Sequence, residues 1–172
     1  MRNLLTIAAL LFGLVLLGPG CGEGHDQTAD AGTQLDGGDD LDVEGCEHMT
    51  EGPFVDVTAG ADAASAGEVR SDHHAYRVAL AAGQAGYASY AADAAGDHVF
   101  FFDTDIALEV QDDQGAAVTI EESVTSIVAC TEVKARHTVP LPAVGTYYLK
   151  LGPATAATTV TIVIEEAGHH HE

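Results

Sequence analysis

The chain has 172 residues, 47% of them hydrophobic, which is enough for one domain with a buried core and too few for a second catalytic domain. Asp and Glu outnumber Lys and Arg 27 to 6, a formal charge of −21, so a phosphate backbone is repelled and nucleic acid is excluded as a partner. The same balance rules out adhesion to an anionic lipid surface through charge, leaving only apolar or covalent attachment to a membrane.

The chain opens with Arg2 and the apolar run Leu4 to Leu17, followed by Gly18, Pro19, Gly20 and Cys21. A charged start, an apolar middle and a small-residue end make residues 1–20 an export signal. As a membrane anchor the run falls short of the roughly 20 residues a bilayer needs, and Gly-Pro-Gly breaks a helix at its end. A Cys set directly after such a run resembles the lipobox of bacterial lipoproteins. The resemblance implies that Cys21 is diacylated and becomes the first residue of a mature protein anchored in the cell envelope facing the periplasm or beyond, with the outer membrane favoured as the membrane that holds it. Ordinary secretion is the alternative.

Composition then changes abruptly. Glu23, Asp26, Asp30, Asp36, Asp39, Asp40, Asp42, Glu44, Glu47 and Glu51 follow one another among glycines, with no Lys or Arg between them. One-sign charge and low hydrophobicity cannot offset chain entropy, so residues 21–45 read as a disordered acidic tether. The run Asp36-Gly37-Gly38-Asp39-Asp40 lacks the ligand order and the distal Glu of an EF-hand, and calcium is not expected there.

From residue 46 to 166 the pattern is that of short strands. Phe54, Val55 and Val57 make an entry strand, and Tyr76, Val78 and Leu80 alternate with Arg77 and Ala79, which sends one face inward. Further strands are read at Tyr87–Tyr90, Val99–Phe102, Ile106–Val110 before the turn at Asp112–Gly115, Val118–Ile120, Val133–Val139 before Pro140 and Pro142, Tyr147–Leu151, and Val160–Ile164. No convincing amphipathic helix is found; the Ala-rich stretch 59–66 is the only candidate. Eight or nine short strands with regular turn signals predict an all-β fold, an antiparallel β-sandwich.

The order of elements resembles a known family. His74-Ala75-Tyr76-Arg77-Val78-Ala79-Leu80 followed by Ala82-Gly83, then Gly96-Asp97, Ile106 to Val110 with Asp113-Gln114-Gly115, and Gly145-Thr146-Tyr147-Tyr148-Leu149 are similar to the bacterial pre-peptidase C-terminal domain over about residues 70–165. That family is a secreted, jelly-roll-like sandwich that accompanies enzymes and in some cases binds calcium or matrix. No protease domain precedes it here, so the resemblance implies a module acting alone or through a protein partner.

With Cys21 acylated, Cys46 and Cys130 remain as a pair in an oxidising compartment, where a disulfide is the default. Its alternative is the soft set Cys46, His48 and Met49, which suits copper(I). Nine histidines are present, and the chain ends Gly168-His169-His170-His171-Glu172. Clustered imidazoles beside Glu165, Glu166 and Glu172 suit zinc, copper(II) or nickel, although the segment 167–172 also reads as a solvated tail. His73 and His74 begin a strand and face opposite ways, so only one of them can join a given site. His137, on an inward face, is expected to be a hydrogen-bonded core residue.

Ser71-Asp72-His73 has no nucleophile elbow around it, and three consecutive residues do not make triad geometry. Asp103-Thr104-Asp105 pairs two carboxylates but reads as a solvated loop. No catalytic signature is found, and two functions compete. One is an envelope lipoprotein that binds or buffers zinc, copper or nickel through His169, His170 and His171 with His48, Met49 and His73. The other is a non-catalytic surface interaction or adhesion module.

Overall fold

The structure, a computed structural model, describes residues 37–167, with side chains described from residue 40 onward. The export signal, Cys21, the first part of the acidic segment and the tail His169–Glu172 lie outside the described residues. No helix among the described residues is long and apolar enough to cross a membrane.

The described chain begins with α1 (Gly37–Glu51) and continues as β1 (Phe54–Thr58), β2 (Gly67–Val69), β3 (Ala75–Leu80), β4 (Gly86–Ala92) and β5 (Gly96–Phe102). It then runs through β6 (Leu108–Gln111), β7 (Ala117–Val118), β8 (Glu122–Val124), β9 (Ala135–Leu141), β10 (Gly145–Leu151) and β11 (Thr158–Glu166). Two sheets pack face to face, one in the order β1-β3-β11-β5-β9-β8 and the other β2-β4-β10-β6-β7. The all-β sandwich read from the strand pattern is the fold. Of the Ala-rich stretch 59–66 only a 3₁₀ turn at Ala63–Ser65 is helical, started by the reciprocal capping bonds of Asp62 and Ser65.

The sheets are not wholly antiparallel. β1 pairs with β3 and β2 pairs with β4 in parallel, because the chain alternates between the sheets over its first four strands and returns to each in the same direction. β2 and β8 went unread because Gly67-Glu68-Val69 and Glu122-Ser123-Val124 are too short to show a period; backbone pairing to β4 and β9 makes them strands.

The main core fills the space between the sheets. Tyr76, Val78 and Leu80 of β3 and Val160, Ile162 and Ile164 of β11 meet Phe100 and Phe102 of β5, Tyr90 of β4 and Leu149 and Leu151 of β10. The period-two face read for β3 therefore points inward, and Arg77 points out.

The largest departure from the sequence reading is at the start of the domain. Residues 37–45, read as tether, form the first part of α1, which lies on the outer face of the six-stranded sheet. Three glycines and a string of acids give this segment little helix propensity of its own. Tertiary contacts hold it instead. Met49 is buried with Ala75, Val99, Phe101 and Val163 in a second, smaller core, packed against by Leu41, Cys46 and Ile127. Gly45 allows the close approach, since a Cβ there would stand 2.6 Å from Phe101 Cε2. Asp42 pairs with Arg136 of β9 at 3.0 Å. Cys46 and Cys130 are joined as a disulfide across 84 residues of sequence, a constraint worth roughly 4 kcal/mol in the chain-entropy account.

Candidate metal centre

Where the end of α1 crosses the end of β11, four side chains converge. Glu44 and His48 stand four residues apart and so share one face of the helix. Cys46 and Met49 use other faces to reach the sheet. Glu165 comes from β11, on the outer face it shares with Val163, and α1 covers it. His73 comes from the loop before β3. Its backbone is left-handed, with φ of 60°, a conformation that separates it from its neighbour. His73 turns into the cluster, while His74 stays with Asp72, 2.8 Å from that residue's carbonyl oxygen and 3.0 Å from its carboxylate.

One ligand atom from each of Glu44, His48, His73 and Glu165 lies within 4.8 Å of all the others. His73 Nδ1 is 3.3 Å from Glu44 Oε1 and 3.6 Å from Glu165 Oε2; His48 Nε2 is 4.0 Å from both Glu44 Oε1 and Glu165 Oε1. Four ligands at 2.0–2.1 Å from a tetrahedral ion would be about 3.3–3.4 Å apart. The Glu44–His73 pair already stands at that spacing, and the His48 contacts at 4.0 Å would have to close by about 0.6 Å on an ion. His48 Nδ1 faces the Gly52 carbonyl oxygen at 3.5 Å and Nε2 faces the carboxylates, so Nε2 is the nitrogen turned toward the cluster.

Glu165 carries the unusual electrostatics. It is only 4% exposed, and its Oε1 has no hydrogen-bond partner among the described residues. Burial, then the nearby charges of Glu44 and Glu166, push its carboxyl up to about 8. A divalent cation would supply the missing partner and balance the two carboxylates, Glu44 and Glu165.

A pocket of about 240 Å³ lies against the cluster, with Asp93, Ser71 and Glu166 adding to its wall. Behind that wall a buried polar network fixes the frame. Ser71 donates to Glu166 at 2.7 Å, Tyr90 OH lies 2.8 Å from His98 Nδ1 and 3.2 Å from Ser71 Oγ, and His98 Nε2 is 3.2 Å from the Ala94 carbonyl oxygen. Burial raises the Tyr90 hydroxyl above its ordinary range, so it stays a neutral bridge between the sheets. Ser71 thus holds the loop that presents His73 to the end of the strand that presents Glu165.

The other residues singled out in the sequence have different places. Met49, expected beside His48 as a ligand, is buried in the small core, because a thioether three residues after Cys46 follows the sulfur toward the sheet. The soft Cys46, His48 and Met49 set is not formed, since Cys46 is in the disulfide. His137 lies edge-on to Phe102 with its Nδ1 2.8 Å from Ser123 Oγ, and burial lowers its basicity. Asp103 accepts from the Thr161 backbone N–H at 2.9 Å and from Thr104, which makes it a structural residue at a strand end. His169, His170 and His171 fall outside the described residues.

Glu44 lies in the segment whose composition reads as tether, and Glu165 stands out in the sequence only beside the C-terminal histidines. The i, i+4 spacing of Glu44 and His48 is a ligand signal once a helix is assumed. A second signal is the pair of unbroken apolar runs Val99–Phe102 and Ile162–Ile164, which imply cover on both faces of the sheet. No protein-family model matches the chain, and neither does any curated protein.

Proposed function

We propose that this protein is a lipid-anchored lipoprotein of the bacterial cell envelope that captures a divalent transition-metal ion at Glu44, His48, His73 and Glu165. The observation that carries the reading is the convergence of two imidazoles and two carboxylates from three separate elements, with the buried Glu165 aimed into the set. Two nitrogen and two carboxylate ligands suit zinc, and also copper(II) or nickel. The negative field of the chain draws cations toward such a site. Export and anchoring rest on the signal and on the lipobox-like placement of Cys21; release of the protein from membranes by Cys21→Ala tests them.

Because the ligands stand on a helix, a strand and a loop anchored by Ser71 instead of on the tail, the tail is not required for the site. Zinc titration by calorimetry tests this. His48→Ala and His73→Ala should each weaken binding at least about tenfold, 1.4 kcal/mol, while truncation after Gly168 should leave it unchanged. Equal zinc affinity in the two histidine variants and the wild type would remove the reading.

A further inference from the structure

Helix α1 supplies two of the four ligands and is also the element that the Cys46–Cys130 bond fastens to the sandwich. We propose that this disulfide is the redox control of the metal site: oxidised, it assembles the four ligands, and reduced, it lets α1 leave and divides them two and two. The proposal rests on the metal reading above.

Cys46 lies between Glu44 and His48 in sequence, so whatever holds the sulfur in place holds both ligands. Besides the disulfide, α1 is held by tertiary contacts alone: Met49 and Leu41 in the small core, Gly45 against Phe101, and Asp42 paired with Arg136. The helix is weak by itself, since an isolated segment of 15 residues with three glycines is largely unfolded in water. The strands differ: among the described residues, the two-sheet core that holds β3 and β11 contains none from α1. Losing the disulfide therefore frees the helix first and leaves His73 and Glu165 on an intact frame.

Exchange enters at Cys46, which is partly exposed, whereas Cys130 is buried in the irregular connection between β8 and β9 and serves as the leaving sulfur. A dithiol reductant supplies the two electrons. Its thiolate attacks Cys46 Sγ and expels Cys130 as a thiolate, which takes a proton. The second thiol of the reductant then displaces Cys46 from the mixed disulfide, leaving two protein thiols and the reductant as its own disulfide. Oxidation by a disulfide-bearing partner runs the same steps backward. A chain in a reducing compartment would accordingly carry no assembled site, and one in an oxidising compartment would carry it complete.

Two measurements on the full chain test the proposal. In metal-free protein, an excess of a dithiol should speed amide hydrogen exchange over Leu41–Glu51 at least about tenfold while β4, β5, β10 and β11 keep their protection. Unchanged protection of α1 overturns the proposal, and so does loss of protection throughout the chain. Second, the Cys46→Ser/Cys130→Ser variant, which leaves no thiol on α1 or beside it, should bind zinc about 100-fold more weakly than the oxidised wild type. Zinc affinity that ignores the disulfide overturns the control and spares the metal reading; no zinc binding by the oxidised wild type overturns both. If the variant does not fold, the exchange measurement on the reduced wild type decides.

Discussion

The molecule has two cores of different standing. The larger lies between the sheets and is built from strands whose alternation is written into the chain: Tyr76, Val78 and Leu80 need only the strand period to find Phe100, Ile162 and Leu149. The smaller lies outside the six-stranded sheet, where Met49, Val99, Phe101 and Val163 are closed over by a helix that could not stand alone. The candidate metal centre sits at the rim of the second. The strands of the two-sheet core thus provide or adjoin two of the four candidate ligands, and a helix that depends on tertiary contacts provides the other two.

Four substitutions sharpen or break this contrast. The largest effect is expected in the main core, where Phe100→Ala should cost about 3–5 kcal/mol in denaturant unfolding. A cost below about 1 kcal/mol would mean that the two-sheet core does not carry the fold.

Next comes Glu165→Gln. In metal-free protein the Glu165 carboxyl is raised from 4.5 to about 8, so the folded state prefers it protonated. Its favourable contribution is complete below about pH 4.5 and is lost as pH rises through about 8. Removing the charge should therefore raise stability above pH 8 by a few kcal/mol, on the order of 3, and leave it nearly unchanged at pH 4. The same variant should bind zinc more weakly. Thermal unfolding across pH in the presence of a chelator checks the first statement and calorimetry the second; a destabilised variant at pH 9 would mean that the buried carboxylate is already satisfied without a metal.

Gly45→Ala is a smaller and more pointed test. Alanine is the better helix former by about 1 kcal/mol, yet its Cβ would meet Phe101 at 2.6 Å. The clash should dominate and cost about 1–3 kcal/mol in docking of α1, seen as faster amide exchange over the helix and weaker zinc binding. Slower exchange would show that the helix is limited by its own propensity and not by its seat on the sheet.

The smallest effect is expected at Arg77→Ala. This side chain lies on the part of the outer face that α1 does not reach, half-exposed, with its partner Asp56 at 2.8 Å and the Phe54 ring beneath it. Exposed ion pairs contribute little, so unfolding should shift by less than about 1 kcal/mol. A larger loss would mean that the outer face of β3 bears on stability beyond the helix.

The sandwich and the inward face of β3 were legible in the sequence, and with Cys21 set aside the Cys46–Cys130 disulfide was the expected pairing, with the copper(I) set as its alternative. Strand period, turn residues and an even pair of cysteines are local or arithmetic properties that need no third dimension. His48 and His73 were also visible as candidate ligands, because their residue type is informative wherever it occurs. Packing against the sheet, and no local pattern, turns the acids that read as tether into a helix, points Met49 away from His48, and brings Glu44 and Glu165 to the two imidazoles. The physical reason is that α1 exists through its contacts and not through its composition. A residue whose conformation is fixed by a disulfide 84 positions away, and by a glycine lying against a distant phenylalanine, carries no local sign of where it will stand.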